Sequence, residues 1–195
     1  MFIQTEDTPN PQSLKFLPGQ AVLGEGALGM DFPTMETAAA GSPLAALIFE
    51  TDGVMGVYLG GDFITVTKSE AVEWVHIKPA ILGAIADFLT TRMPVIAEGV
   101  SPTSNNPATA LEDYEGEDRE TVEQIIELIE TRVRPAVAAD GGDIVFKHYE
   151  PATGVVFLSM QGACAGCPSS TMTLKSGIEN MLKHYVPEVV SVEAA

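Results

Sequence analysis

An α+β fold in two small domains is what this chain of 195 residues predicts. Three observations carry that expectation. Apolar spacing switches repeatedly between strand-like alternation and helical repeats. The pattern vanishes between Gly99 and Asp118, which divides the chain. Beyond that break the order of elements is α-β-β-α-β, enough for a small mixed sheet with two helices packed on it.

In the first half, Phe2 to Thr5 reads as a short strand and Pro9-Asn10-Pro11 as a turn. Ser13 to Leu17 alternates like a half-buried strand and is closed by Pro18-Gly19. Gly24 to Pro33 reads as loop. Ser42 and Pro43 open a short helix as N-cap and first helical residue, with Gly53 beyond its end. Val54 to Leu59, the turn Gly60-Gly61-Asp62, and Phe63 to Thr67 make a hairpin. Ile81, Leu82, Ile85, Phe88 and Leu89 recur at helical spacing between Trp74 and Leu89, and Pro94 is expected to end that helix. Residues 1–98 therefore form the first domain.

From Gly99 to Asp118, proline, serine and asparagine lead into Glu112-Asp113-Tyr114-Glu115-Gly116-Glu117-Asp118. Low hydrophobicity and like charges predict a solvated linker over 99–118, with a reach of roughly 20–25 Å if it is coil-like. Residues 119–195 form the second domain. Val122, Ile125, Ile126, Ile129 and Val133 share one helical face, Glu130 and Arg134 can pair four residues apart, and Pro135 limits the helix. Asp140-Gly141-Gly142-Asp143 turns the chain. Ile144 to Tyr149 and Val155 to Met160 form a hairpin across Pro151 to Gly154. After the segment Gly162 to Pro168, a last helix carries Leu174, Ile178, Met181, Leu182 and Tyr185 on one stripe and stops before Pro187, and Val189 to Val192 reads as a strand.

The formal charge of −17 divides as −8 over 1–98, −5 over 99–118 and −4 over 119–195, so the acidity is not confined to a tail. A surface this negative repels phosphate backbones and anionic lipid, which argues against nucleic-acid and membrane partners. The N-terminus has neither a basic region nor an apolar core of signal-peptide length, and no run approaches the ~18 apolar residues of a membrane span. A cytoplasmic, bacterial setting is the simple expectation; a processed mitochondrial protein would look the same.

The chemistry sits at Gly162-Ala163-Cys164-Ala165-Gly166-Cys167-Pro168, which holds the only two cysteines. Two thiolates separated by two small residues can grip one soft metal centre. Gly162 and Gly166 suit the positive backbone angles that such a turn demands, and a helix starting beyond Cys167 favours its thiolate. Two sulfurs do not complete a site, since soft-metal sites built from cysteine usually have four protein ligands. The rest must come from a second copy of the chain, from histidine, or from outside the protein. A thiol–disulfide oxidoreductase is an alternative, because Cys-x-x-Cys at a helix start also serves redox exchange, although only one short strand follows the motif helix. Structural zinc bridging a dimer is another.

The remaining polar residues have plainer readings. Asp140 and Asp143 could form a cation or catalytic pair but fit better as turn and cap residues around two glycines. His76, His148 and His184 lack ligand spacing, and Met160, Met172 and Met181 read as core fillers. Ser169 and Ser170 read as caps, without a histidine or acid placed to make either a nucleophile. No catalytic residue stands out, and Trp74 is expected to anchor the first core.

Taken together, Val133-Arg134-Pro135, Asp140 to Ile144, Leu158 to Ser170, Thr173-Leu174-Lys175 and Ile178-Glu179 resemble the C-terminal domain of the NifU-like (Nfu) family. Thr8-Pro9-Asn10-Pro11 with Leu14-Lys15-Phe16, the hairpin Gly53 to Lys68, and Trp74 with Lys78-Pro79 resemble that family's N-terminal domain. The cysteines of full NifU proteins' assembly scaffold and ferredoxin-like module have no counterpart here, which favours carriage over assembly. The resemblance implies an iron–sulfur cluster carrier that is not an enzyme. Two subunits would each give Cys164 and Cys167 to one [4Fe–4S] cluster, with a [2Fe–2S] form left open. The holo form would be a homodimer, fed by upstream cluster donors and serving apo iron–sulfur client proteins. The first domain, which has no visible chemistry, would select partners.

Overall fold

The computed structural model describes residues 2–24, 27, 29–100, 111–165 and 168–195, the last span without the side chains of 168–171. The described residues fall into two compact units, on either side of residues 101–110. Among them no helix is long and apolar enough to cross a membrane.

The N-terminal unit is a five-stranded antiparallel sheet in the order β1-β2-β5-β4-β3, with β1 Gln4–Asp7, β2 Ser13–Leu17, β3 Met30–Phe32, β4 Val54–Leu59 and β5 Ile64–Lys68. Leu14, Phe16, Val57, Leu59, Ile64 and Val66 turn one face of it into a core. The helix α3 Trp74–Thr91 lays Ile77, Ile81, Ile85 and Phe88 into the same core, at the spacing of three and four that places residues on one helix face. Ser42 caps α2 Pro43–Phe49 as expected: its hydroxyl accepts from the Ala45 amide at 3.1 Å and donates to the Val95 carbonyl at 2.6 Å.

Three features depart from the sequence reading. Within the expected loop 24–33, Met30–Phe32 pairs with β4 as an edge strand, burying Met30 and Phe32 on either side of Asp31. A further helix, α1 Met35–Gly41, precedes α2 and is capped reciprocally by Thr34 and Thr37. The helix α3 ends on Arg92, a non-glycine residue in the left-handed region at φ 55°, rather than at Pro94. Trp74 is half-buried against the core, as expected of an anchor, and its indole N–H donates to the Pro11 carbonyl at 3.2 Å.

In the C-terminal unit, α4 Gly116–Leu128 continues through a π-helical turn, Ile129–Val133, into α5 Arg134–Ala139. Pro135 was expected to limit this helix. It does not, because the π turn inserts a residue just ahead of it: the Arg134 amide bonds back five residues to Ile129, which gives the proline ring room where a regular turn would crowd the carbonyl four residues back. Next come β6 Gly142–Glu150, β7 Val155–Gly162, α6 Pro168–Tyr185 and β8 Ser191–Ala194. β6 and β7 run antiparallel and β7 and β8 parallel, so the sheet is small and mixed as predicted. A bulge at Lys147 resets the alternation of β6: Ile144, Phe146 and then Tyr149 face the core, and His148 is turned out.

The C-terminal unit also begins earlier than composition suggests. Tyr114, from the acidic run read as linker, belongs to its core, and Leu111 just before that run packs against it. The Tyr114 hydroxyl donates to the Tyr149 carbonyl and accepts from the Tyr149 amide, both at 2.8 Å. Both backbone groups of Tyr149 must therefore point away from β7, on the outer side of β6, which is an edge strand of the sheet. The hydroxyl's one proton is used on the carbonyl, so its 2.8 Å contact with His148 Nδ1 assigns the proton there to the imidazole.

Replacing Tyr114 with Phe leaves the Tyr149 amide and carbonyl without that partner. Urea unfolding of the C-terminal unit should show a loss of about 1–3 kcal/mol; an unchanged midpoint would mean that the hydroxyl adds nothing to the fold.

Candidate metal centre

Antiparallel pairing brings the start of β6 and the end of β7 to one end of the sheet, with Gly142 opposite Gly162 as the last pair. Two tight turns meet there. Gly141 at φ 80° and Gly162 at φ 60° both occupy the left-handed region that favours glycine, and one lies in each turn. The Ala163 amide donates to the Gly141 carbonyl at 3.1 Å, tying the cysteine turn to the turn before β6. Within the cysteine turn, Cys164 N–H donates to Gln161 O at 3.3 Å and Ala165 N–H to Gly162 O at 3.1 Å.

Cys164 is buried, 7% exposed, and forms part of the C-terminal core. Its Sγ occupies the space that a side chain on Gly142 would fill, with its amide nitrogen 3.0 Å and the Gln161 carbonyl 3.1 Å from that missing Cβ. Burial pushes the Cys164 thiol up to about 12, and the nearby carboxylates of Asp140 and Asp143 add to the shift. A metal must therefore displace a proton to bind here. Cys167 and Gly166 lie outside the described residues, as do the side chains of Ser169 and Ser170.

Asp143 is not a cation ligand. Its two carboxylate oxygens accept from Arg134 Nε and Nη2, each at 2.8 Å, and Oδ1 also accepts from the Ile144 amide. Arg134 reaches Glu130 as well, at 2.7 Å, the pair expected from their spacing. The bond to Asp143, above all, holds the guanidinium more firmly charged than usual. The pairing of Arg134 with Asp143 was not legible in sequence, because it spans a helix end and a turn. The two residues are neighbours only because the π turn and the Gly141 turn are both in place.

Asp140 sits at the C-terminal end of α5. His76 is exposed, His148 is held by Tyr114, and His184 packs edge-on against Tyr185. Among the described residues no three or more His, Cys, Asp or Glu side chains stand together as a metal site. The donor set in hand is Cys164, a soft thiol suited to iron or zinc but alone insufficient.

Residues 3–92 match the family described as "Scaffold protein Nfu/NifU N terminal", and residues 125–193 match the "NifU-like domain". The chain belongs to the NifU-like (Nfu) family. Among curated proteins it is 54% identical over 193 residues to "NFU1 iron-sulfur cluster scaffold homolog, mitochondrial" of Drosophila ananassae, covering 99% of this chain and 64% of that protein. The Drosophila sechellia protein of the same name matches at the same identity and coverage. This chain thus spans 64% of the length of these relatives. Among solved structures, a NifU-like protein from Saccharomyces cerevisiae is 31% identical with a TM-score of 0.44, covering 50% of this chain and 86% of that one.

A thiol held above its ordinary pKa stabilises the folded state through its protonated form. That contribution is complete below the unfolded thiol's value, about 8.5, and fades as pH rises toward 12. Stability should therefore fall between about pH 8.5 and 11 more steeply for the native chain than for Cys164→Ala, measured by urea unfolding of each. Parallel slopes would show that the thiol does not feel its buried site.

Proposed function

We propose that this protein carries an iron–sulfur cluster as cargo, held through Cys164 and Cys167 of two copies of the chain, and hands it to apo-proteins. The observation that supports this best is membership of the NifU-like family together with a cysteine turn built into the end of the C-terminal sheet. Two cysteines per chain are half of a four-thiolate set, so a second copy completes it. The cargo is a [4Fe–4S] cluster in this reading, with [2Fe–2S] the alternative.

Delivery is ligand exchange. A client thiolate attacks an iron at the subunit boundary, the Fe–S bond to Cys164 or Cys167 breaks, and the released thiolate takes up a proton. Each exchange replaces one thiolate by another, so no electron is transferred and no reductant is consumed. A cluster shared between subunits is easier to surrender than one enclosed by a single fold. The protein acts by carriage and not by turnover.

The N-terminal unit, residues 1–98 in this reading, selects donors or clients. Several of its polar side chains hold its own fold together: Thr8 bonds to Asn10 and Ser13, Lys68 to Gln12, and Lys78 of α3 to Thr5 of β1. The names of the relatives favour a mitochondrial location over the bacterial cytoplasm.

Anaerobic reconstitution with iron and sulfide, followed by metal analysis and sizing, tests the reading. The expected product is a dimer with about four iron and four sulfide, and neither Cys164→Ala nor Cys167→Ala should hold a normal load. Zinc retained in place of iron points to a structural site, and a monomer cycling between dithiol and disulfide points to redox exchange. Removing residues 1–98 should spare cluster loading and slow transfer to at least one client; unchanged transfer to every client tested would remove the selection role.

A further inference from the structure

Cys164 is misplaced for a ligand that must be shared and exchanged. It is 7% exposed and lies in one core with Ile144, Leu158 and Ile178. Its sulfur rests on Gly142, in space that any other residue's Cβ would claim. The turn that carries it is held by the amides of Ala163, Cys164 and Ala165 on the carbonyls of Gly141, Gln161 and Gly162. A second subunit's cluster or a client's thiolate cannot reach a sulfur enclosed in this way. Gly142 does not have a positive φ, so its backbone angle does not require glycine; what does is the room taken first by the Cys164 sulfur and then by the Cys164 amide nitrogen and the Gln161 carbonyl.

We propose that the apo protein stows Cys164 on Gly142, and that the turn 161–165 must swing this thiol out of the core before it can bind metal. The inference rests on the carrier reading above and adds a closed resting state to it. Two consequences follow from the geometry. The resting thiol is shielded from oxidants in solution. When a client takes the cluster, the sulfur can return to its seat, and that return competes with rebinding. The seat thus favours release. Gly142 acts here as a positioning residue for Cys164 and touches no cargo itself.

The test uses the full chain with Cys167→Ala, in which Cys164 is the single thiol, and follows its alkylation by iodoacetamide with mass spectrometry. In the folded apo protein the rate should be at least ~100-fold below that of the same chain in urea at the same pH, the ratio expected if the open form is a minor state of about 1%. Adding Gly142→Ala should raise the rate at least ~10-fold, because the new Cβ evicts the sulfur from a seat worth at least that ratio. Labelling within a few-fold of the unfolded chain overturns the proposal, as does a well-folded Gly142→Ala chain that is still fully protected. Should Gly142→Ala fail to melt cooperatively, the protection of the Gly142 chain alone decides. Reconstitution of the chain with both cysteines separates the two readings. A cluster that loads although Cys164 labels freely overturns stowing and leaves carriage standing. A protected Cys164 in a chain that takes no cluster does the reverse.

Discussion

The junction of two turns, where Ala163 bonds to Gly141 and the Cys164 sulfur sits on Gly142, is the contact on which the cysteine-bearing end of the C-terminal unit depends. About twenty residues of hairpin separate its two sides in the chain. They meet because β6 and β7 pair antiparallel in a register that ends at Gly142 and Gly162. A one-residue slip would put every inward side chain on the wrong face, and Ile144, Phe146, Val156 and Leu158 oppose it by burial. The site's geometry is thus set by the core beneath it.

The pair of half-buried Arg134 and buried Asp143 guards the same junction from the helix side. Asp143 is 4% exposed, and a carboxylate there would be costly without a partner. Arg134 supplies one with two parallel hydrogen bonds, an arrangement that a lysine could not reproduce. The π turn that makes room for Pro135 also sets the direction from which the guanidinium arrives. Charge, proline chemistry and helix geometry converge on one residue.

Much of the fold was legible because its elements obey simple periods. β2 was readable as a strand from alternation, although its polar Ser13 and Lys15 are buried as well rather than exposed on a free face, and the Ser42 cap was readable from its position ahead of Pro43. β3 escaped because three residues are too few to show a period, and pairing with β4 is what makes them a strand. α1 escaped because its run of alanines has no apolar stripe, although Thr34 and Thr37 are a usable start signal. The acidic segment misled for a different reason: composition averages over a window, whereas Tyr114 is one residue whose hydroxyl matches two backbone groups on a sheet edge. At the site, Cys164 was legible from its spacing to Cys167. Its burial was not, since nothing in a Cys-x-x-Cys motif says which way the sulfur points.

The sequence by itself determined the α+β class, the presence of two units, the spacing of the cysteine pair and the resemblance to the NifU-like family. Each of these depends on residue type and spacing, which are local quantities. Tertiary structure alone decided that Cys164 lies in the core, that Gly142 is its seat, that Asp143 belongs to Arg134 and not to a cation, and that Tyr114 closes the edge of β6. Each of these is a contact between segments far apart in the chain, and such contacts exist only once the core has fixed the register that brings them together.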